Sequence, residues 1–295
     1  MLYDVSLGFS YAYRSTANSS RHLLRLMPQT VTGRQDLVSG LVTIDPDPDY
    51  RQDVRDFFGN PLTVVAYDRP LKKVTFRLRA RVRRLGVVPG PDLSPPLSGV
   101  ARAVAGVLSI GAEAPHHFLG PSDRVRAMAE TTAYAREAVP GAGSVWQAVQ
   151  AVGMALHRDM TFDSKATDVD TETAEAFRKR RGVCQDFSHV MIACLRGLGI
   201  PAGYVSGFLR TVPPPGKERL EGADAMHAWV QAWCGPQMGW VEFDPTNAMA
   251  VGQDHVVVAL GRDYSDVAPV KGALRTTGSH TSRQSVDVIP LPDQT

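Results

Sequence analysis

The chain has 295 residues, with 32 Lys and Arg against 30 Asp and Glu, and is 43% hydrophobic and 21% charged. That length supports one large domain or two medium ones around an ordinary core, and the composition excludes a disordered or fibrous chain. A formal net charge of +2 singles out neither nucleic acid nor a membrane as partner; with no export-signal pattern and no apolar run of spanning length, a cytoplasmic location is expected.

From the N-terminus, LYDVSLGFSYAYR, RHLLRLMPQ, DLVSGLVTI and LTVVAY are β-type runs bounded by Pro, Gly, Asn and Asp. KKVTFRLRARVRR alternates cleanly. Val74, Phe76, Leu78, Ala80 and Val82 take one face, and Thr75, Arg77, Arg79, Arg81 and Arg83 take the other, which predicts a half-buried strand with a solvated basic face. That face lacks the interleaved aromatics of a single-strand platform, so nucleic acid ranks last among partners. GVVPGPDLSPPLSG marks a linker. The expected division is a β-rich, sandwich-like domain over 1–90, a linker over 91–120 and an α+β core over 121–295. Within that core, DRVRAMAETTAYAREA predicts a helix opening at Ser122–Asp123, and SVWQAVQAVGMALHRDM one opening at Ser144. TFDSKATDVDTETAEAFRKRR holds a loop and a short helix that Gly182 should end.

The next stretch, RRGVCQDFSHVMIACLRGLGIPAG, places Phe187, Val190, Met191, Cys194, Leu195 and Leu198 at the spacing of a buried helical stripe. After Gly199 and Pro201 the period changes to two, through GYVSGFLR, HAWVQAWC, WVEFDPTN, HVVVAL and RQSVDVI. Helices followed by a run of strands imply helices packed on an antiparallel sheet.

Three cysteines, Cys184, Cys194 and Cys234, make no disulfide framework and show no C-x-x-C spacing for zinc, so no metal and no cofactor are expected. On one helix, Cys184 and Cys194 stand roughly 15 Å apart, beyond disulfide reach. Cys184 follows Gly182 and Val183 at the helix start. There the unpaired N–H groups and the positive dipole end favour a thiolate and offer donors to an oxyanion. Taken singly, it could equally be a small buried residue.

A nucleophilic cysteine needs a base, and the base an orienting group. HAWVQAW and WVEFDPTN flank the turn CGPQMG, which predicts a hairpin. If Trp233 opposes Trp240, then His227 and Asp244 share a face on a diagonal of roughly 7 Å at the backbone. A slip of one residue separates them. His227 as an ordinary strand-end histidine and Asp244 as a turn former before Pro245 remain open at this level.

GVCQDFSHVMIACLRGLGIPAGYVSGF, DAMHAWVQAWC and GWVEFDPTN together resemble the three catalytic blocks of bacterial transglutaminase-like proteins, within the papain-like cysteine enzyme superfamily. DHVVVALGRDYSDVAPVKG and SVDVIPL fit the same family, and the early strands resemble its β-rich N-terminal region. The resemblance implies a papain-like core with Cys184 as nucleophile, His227 as general base and acid, and Asp244 orienting His227. It implies a peptide or protein amide substrate, hydrolysed through a thioester, with transfer to an amine as the first alternative and a non-catalytic binding module on the same fold as the second. Gln185, Asp186 and His189 belong to the nucleophile block and are assigned to the oxyanion site or to support of it. His189 is expected to pack or hydrogen-bond, because it stands five positions from Cys184. Trp229 and Trp240 are candidates for the cleft wall, with aromatic core as the alternative. The loop RTVPPPGKERLEGADAM is expected to border the cleft, and the N-terminal domain to cover one end of it.

Overall fold

The fold is that of a computed structural model, which describes residues 1–86, 90–211, 224–275 and 279–292. The first five strands are β1 (Leu2–Leu24), β2 (Gln35–Asp45), β3 (Tyr50–Arg55), β4 (Pro61–Tyr67) and β5 (Leu71–Arg84). The run LYDVSLGFSYAYR and the first four residues of RHLLRLMPQ form one strand, β1, rather than two. Its first half lies beside β5 and its second half beside β4, with the register broken between Ala12 and Ala17. The result is one curled seven-stranded antiparallel sheet, the β-rich N-terminal region expected from the sequence. β5 keeps its alternation, with Phe76, Leu78 and Val82 buried and Arg77, Arg79, Arg81 and Arg83 exposed.

The linker region contains a short helix, α1 (Val100–Ala105). The second helix, α2 (Ala129–Ala138), begins well after the expected cap at Ser122–Asp123. The intervening backbone is used elsewhere: the Arg124 N–H donates to Asp263 and the Ser122 N–H to the Val125 carbonyl. In contrast, α3 (Val145–Asp159) opens as expected, its Ser144 hydroxyl accepting from the Gln147 N–H at 3.1 Å. After the two-residue strand β6 (Thr161–Phe162), α4 (Thr173–Lys179) ends at Arg180 in the left-handed region, φ 52°, and not at Gly182. The Arg180 guanidinium stacks over Phe177 and Tyr134, at 4.0 and 4.7 Å from their centroids, which offsets that backbone cost. Gly182 instead lies in β7 (Arg181–Gly182), paired with β6.

The central helix α5 (Cys184–Gly197) is buried from Gln185 to Leu195. It packs on a sheet formed by β8 (Ala202–Leu209), β9 (Ala225–Trp233), β10 (Trp240–Asp244), β11 (Met249–Ala250) and β12 (His255–Gly261). The strand order is β11-β10-β9-β8-β12, so β12 is an edge. Two buried amides of the N-terminal region cover that edge. Gln35 donates to the Val257 carbonyl and accepts from its N–H, and Asn60 does the same for Leu260. An open strand edge is thereby satisfied by side chains, locking the two sheets together. Gly207 of β8 permits a further close approach, because a Cβ there would stand 2.1 Å from the Val256 carbonyl oxygen.

A one-turn helix, α6 (Tyr264–Val267), follows, and the chain then returns to its beginning. Strands β13 (Val270–Arg275) and β14 (His280–Leu291) pair with β1, although the sequence division placed them with the core. β1 has two sides, and only the later strands are left to satisfy the one that β4 and β5 do not. Among the described residues no helix is long and apolar enough to cross a membrane.

Candidate active site

Cys184 is the first residue of α5, where the leading backbone N–H groups have no partner within the helix. The helix start is fixed by Asp186, whose carboxylate accepts from the Val183 N–H at 2.8 Å and the Thr167 hydroxyl at 2.6 Å. Burial raises the Asp186 carboxyl above its usual range despite these bonds. Gly182 lets that carboxylate approach, since a Cβ there would stand 2.4 Å from it. Asp186 therefore fixes the turn that carries Cys184.

The hairpin has the register expected from its tryptophans, with Trp240 opposite Trp233 and Glu242 opposite Gln231. It brings His227 Nε2 to 2.7 Å from Asp244 Oδ2. Asp244 is fully buried, and its Oδ2 also receives Asn247 Nδ2 at 2.7 Å and His255 Nε2 at 3.1 Å. Its Oδ1 accepts the backbone N–H groups of Thr246 and Asn247. Burial opposes the carboxylate, but the bonds from His227, His255 and Asn247 hold it well below the usual range. For His227, burial opposes the charge while the bonds to Asp244 and to the Cys184 thiol outweigh it, raising the imidazolium to about 10. Cys184 and His227 line one cleft.

His227, Asp244 and His255 are metal-ligand types whose donor atoms lie within 4.8 Å of one another. A tetrahedral metal at its usual bond lengths holds ligands about 3.3 Å apart, so the 2.7 Å contact of His227 with Asp244 is a hydrogen bond with no room for an ion.

The remaining expected residues divide. Gln185 lines the cleft beside Cys184, and its Nε2 donates to the Val169 carbonyl at 3.2 Å. His189 does not line the cleft; its Nε2 accepts from the Tyr264 N–H at 3.2 Å and its ring packs on Tyr204. Burial lowers the His189 imidazole to about 4, Asp263 opposing and Arg124 and Arg196 assisting, which leaves the nitrogen free to accept. Neither tryptophan walls the cleft. Trp229 is fully buried behind His227 and donates to Glu242 at 3.2 Å. Trp240 lines a separate cavity, packed on Phe118 and bonded to the Glu113 carbonyl. Of the loop expected at the rim, residues 212–223 lie outside those described. The N-terminal sheet does border the cleft, through Phe9 and Tyr11 of β1 and Gln284 of β14.

Sequence reasoning missed His255, although a histidine opening a wholly apolar strand must find a buried partner. It also missed Tyr204 and Tyr264, which line the cleft from β8 and α6.

This geometry accords with the comparisons. The pattern of the transglutaminase-like superfamily matches residues 132–245, and that of the bacterial transglutaminase-like N-terminal region matches residues 3–83. An uncharacterized protein of Mycobacterium tuberculosis is 33% identical over 98% of this chain and 93% of its own, and one of Mycobacterium leprae is 29% identical over 91% of each. A crystal structure of a candidate cysteine protease from Cytophaga hutchinsonii shares the fold, with a TM-score of 0.76 over all of this chain and 92% of the other at 19% identity. The chain belongs to the transglutaminase-like superfamily.

Proposed function

We propose that the protein is a cysteine-dependent amidase or peptidase working through a thioester. The observation that carries this reading is the His227 imidazole, tied by Nε2 to a buried carboxylate and acted on by the Cys184 thiol at a helix N-terminus. The Cys184 proton passes to His227, leaving the sulfur as the attacking nucleophile. The thiolate forms a C–S bond to the substrate carbonyl, and the backbone N–H of Cys184 donates to the resulting oxyanion. His227 delivers its proton to the departing amine as the C–N bond breaks. Asp244 holds the imidazole by Nε2, so that Nδ1 serves the reacting atoms. Water, deprotonated by His227, then attacks the thioester and releases the acid and the thiol.

Peptide mapping after exposure to an activated acyl ester tests the thioester: the acyl mass should reside on Cys184 and be absent from the Cys184→Ala variant. Acyl groups on other residues, with Cys184 unmodified, would sink the reading. Product analysis with and without an added primary amine then assigns the acceptor. Incorporation of the amine in place of water would make the enzyme an acyltransferase of the cross-linking or ligating kind.

A further inference from the structure

On the reading of Cys184 as an acyl-accepting nucleophile, we propose that the cleft selects its acyl donor by one uncharged, aromatic-sized side chain, held between the N-terminal sheet and the core. The cleft has a volume of about 220 Å³. Sites that enclose whole small ligands run to about 300–1,000 Å³, so this one suits a single side chain while the rest of a peptide stays outside.

Its walls come from both parts of the molecule. Phe9 and Tyr11 project from β1 with rings stacked, centroids 6.5 Å apart and 16° between planes. Facing them are Tyr204 and Tyr264, edge to face at 6.2 Å, with Met226 and Val270 filling the apolar surface. Along β1 the inward residues Tyr3, Val5 and Leu7 are 0–2% exposed, whereas Phe9 is 8% exposed and Tyr11 more open still. The strand thus changes from core to cleft wall at these two rings. Burial, with a smaller contribution from Tyr264, pushes the Tyr11 hydroxyl up to about 12, so that wall stays neutral. His189 holds the Tyr264 backbone in place through its acceptor nitrogen.

Among the described lining residues none is Asp, Glu, Lys or Arg. Apart from His227, which Asp244 already pairs, the described lining offers a charged donor side chain no counter-ion, while an aromatic or branched aliphatic one would replace water with ring contacts. The β-rich region is on this account part of the substrate site.

The test uses the full chain and matched peptidyl fluoromethyl ketones bearing Phe, Leu, Ala, Glu or Lys next to the electrophile. Alkylation rates at Cys184 are divided by the rate with iodoacetamide, which reads the nucleophile alone. The Phe and Leu probes should exceed the Glu and Lys probes by about tenfold or more. In Tyr11→Asp the Lys probe should gain about tenfold on the Glu probe, a preference that an unfolded chain would lack. Equal rates for all probes with rapid iodoacetamide labelling would overturn the selectivity and leave the nucleophile standing. Slow, His227-independent labelling by every reagent would overturn both.

Discussion

At the scale of single residues, the two ends of the His227–Asp244 pair respond to pH in opposite directions. The folded His227 titrates near 10 against 6.5 for the free group. Its contribution to stability is therefore full below about 6.5 and is lost as pH rises through about 10. Alkylation of Cys184 should likewise hold its rapid, His227-dependent phase through neutral pH and lose it as the imidazolium deprotonates near 10. A dependence on His227 that vanishes near 6.5 would contradict the pairing. Asp244, lowered below its ordinary 3.8, stabilises the fold above about that value and ceases to do so as pH falls through its depressed one. Removing one of its donors by His255→Ala should cost about 1–3 kcal/mol and move the acid unfolding midpoint upward. An unchanged midpoint would mean that His255 does not share in holding the carboxylate.

At the scale of elements, the start of α5 is built around a contact that tolerates no Cβ. Gly182→Ala drives a methyl into the Asp186 carboxylate and should destabilise the protein by about 1–3 kcal/mol in denaturant unfolding. A neutral result would mean that the cap relaxes freely. This helix and the hairpin beyond it were legible in the sequence because each rests on local spacing: the apolar stripe of α5, the Ser144 cap of α3, and the alternation that puts Trp240 opposite Trp233. Where tertiary contacts override local preference, the reading failed. The Ser122–Asp123 cap is displaced because Asp263 takes the Arg124 N–H, and α4 ends at Arg180 because two aromatic rings receive its guanidinium. Cys184, His227 and Asp244 were read from motif spacing, and the fold brings His227 to Asp244 with Cys184 in the same cleft. His255 was not, although it opens an apolar strand eleven residues after Asp244; Phe9 and Tyr11 were not, because they reach the cleft from a strand distant in sequence.

At the scale of the whole molecule, β1 is shared by strands from both ends of the chain. Residues 1–90 expressed alone lack β13 and β14, so one side of a 23-residue strand is left open. That fragment should show no cooperative thermal transition by circular dichroism, and should gain one when residues 270–292 are fused to it. A cooperative transition of the short fragment would support the simple division into consecutive domains. The same closure carries Phe9 and Tyr11 to the cleft, which joins the architecture of the N-terminal sheet to the choice of substrate.

The central claim is that Cys184 is a nucleophile activated by His227, and selective alkylation at pH 6 tests it most directly. Burial pushes the thiols of Cys194 and Cys234 up to about 12, so neither should compete. Iodoacetamide should modify Cys184 far faster than free cysteine, and His227→Ala should abolish the difference. Modification of Cys184 no faster than free cysteine, and unaffected by His227→Ala, would contradict the account.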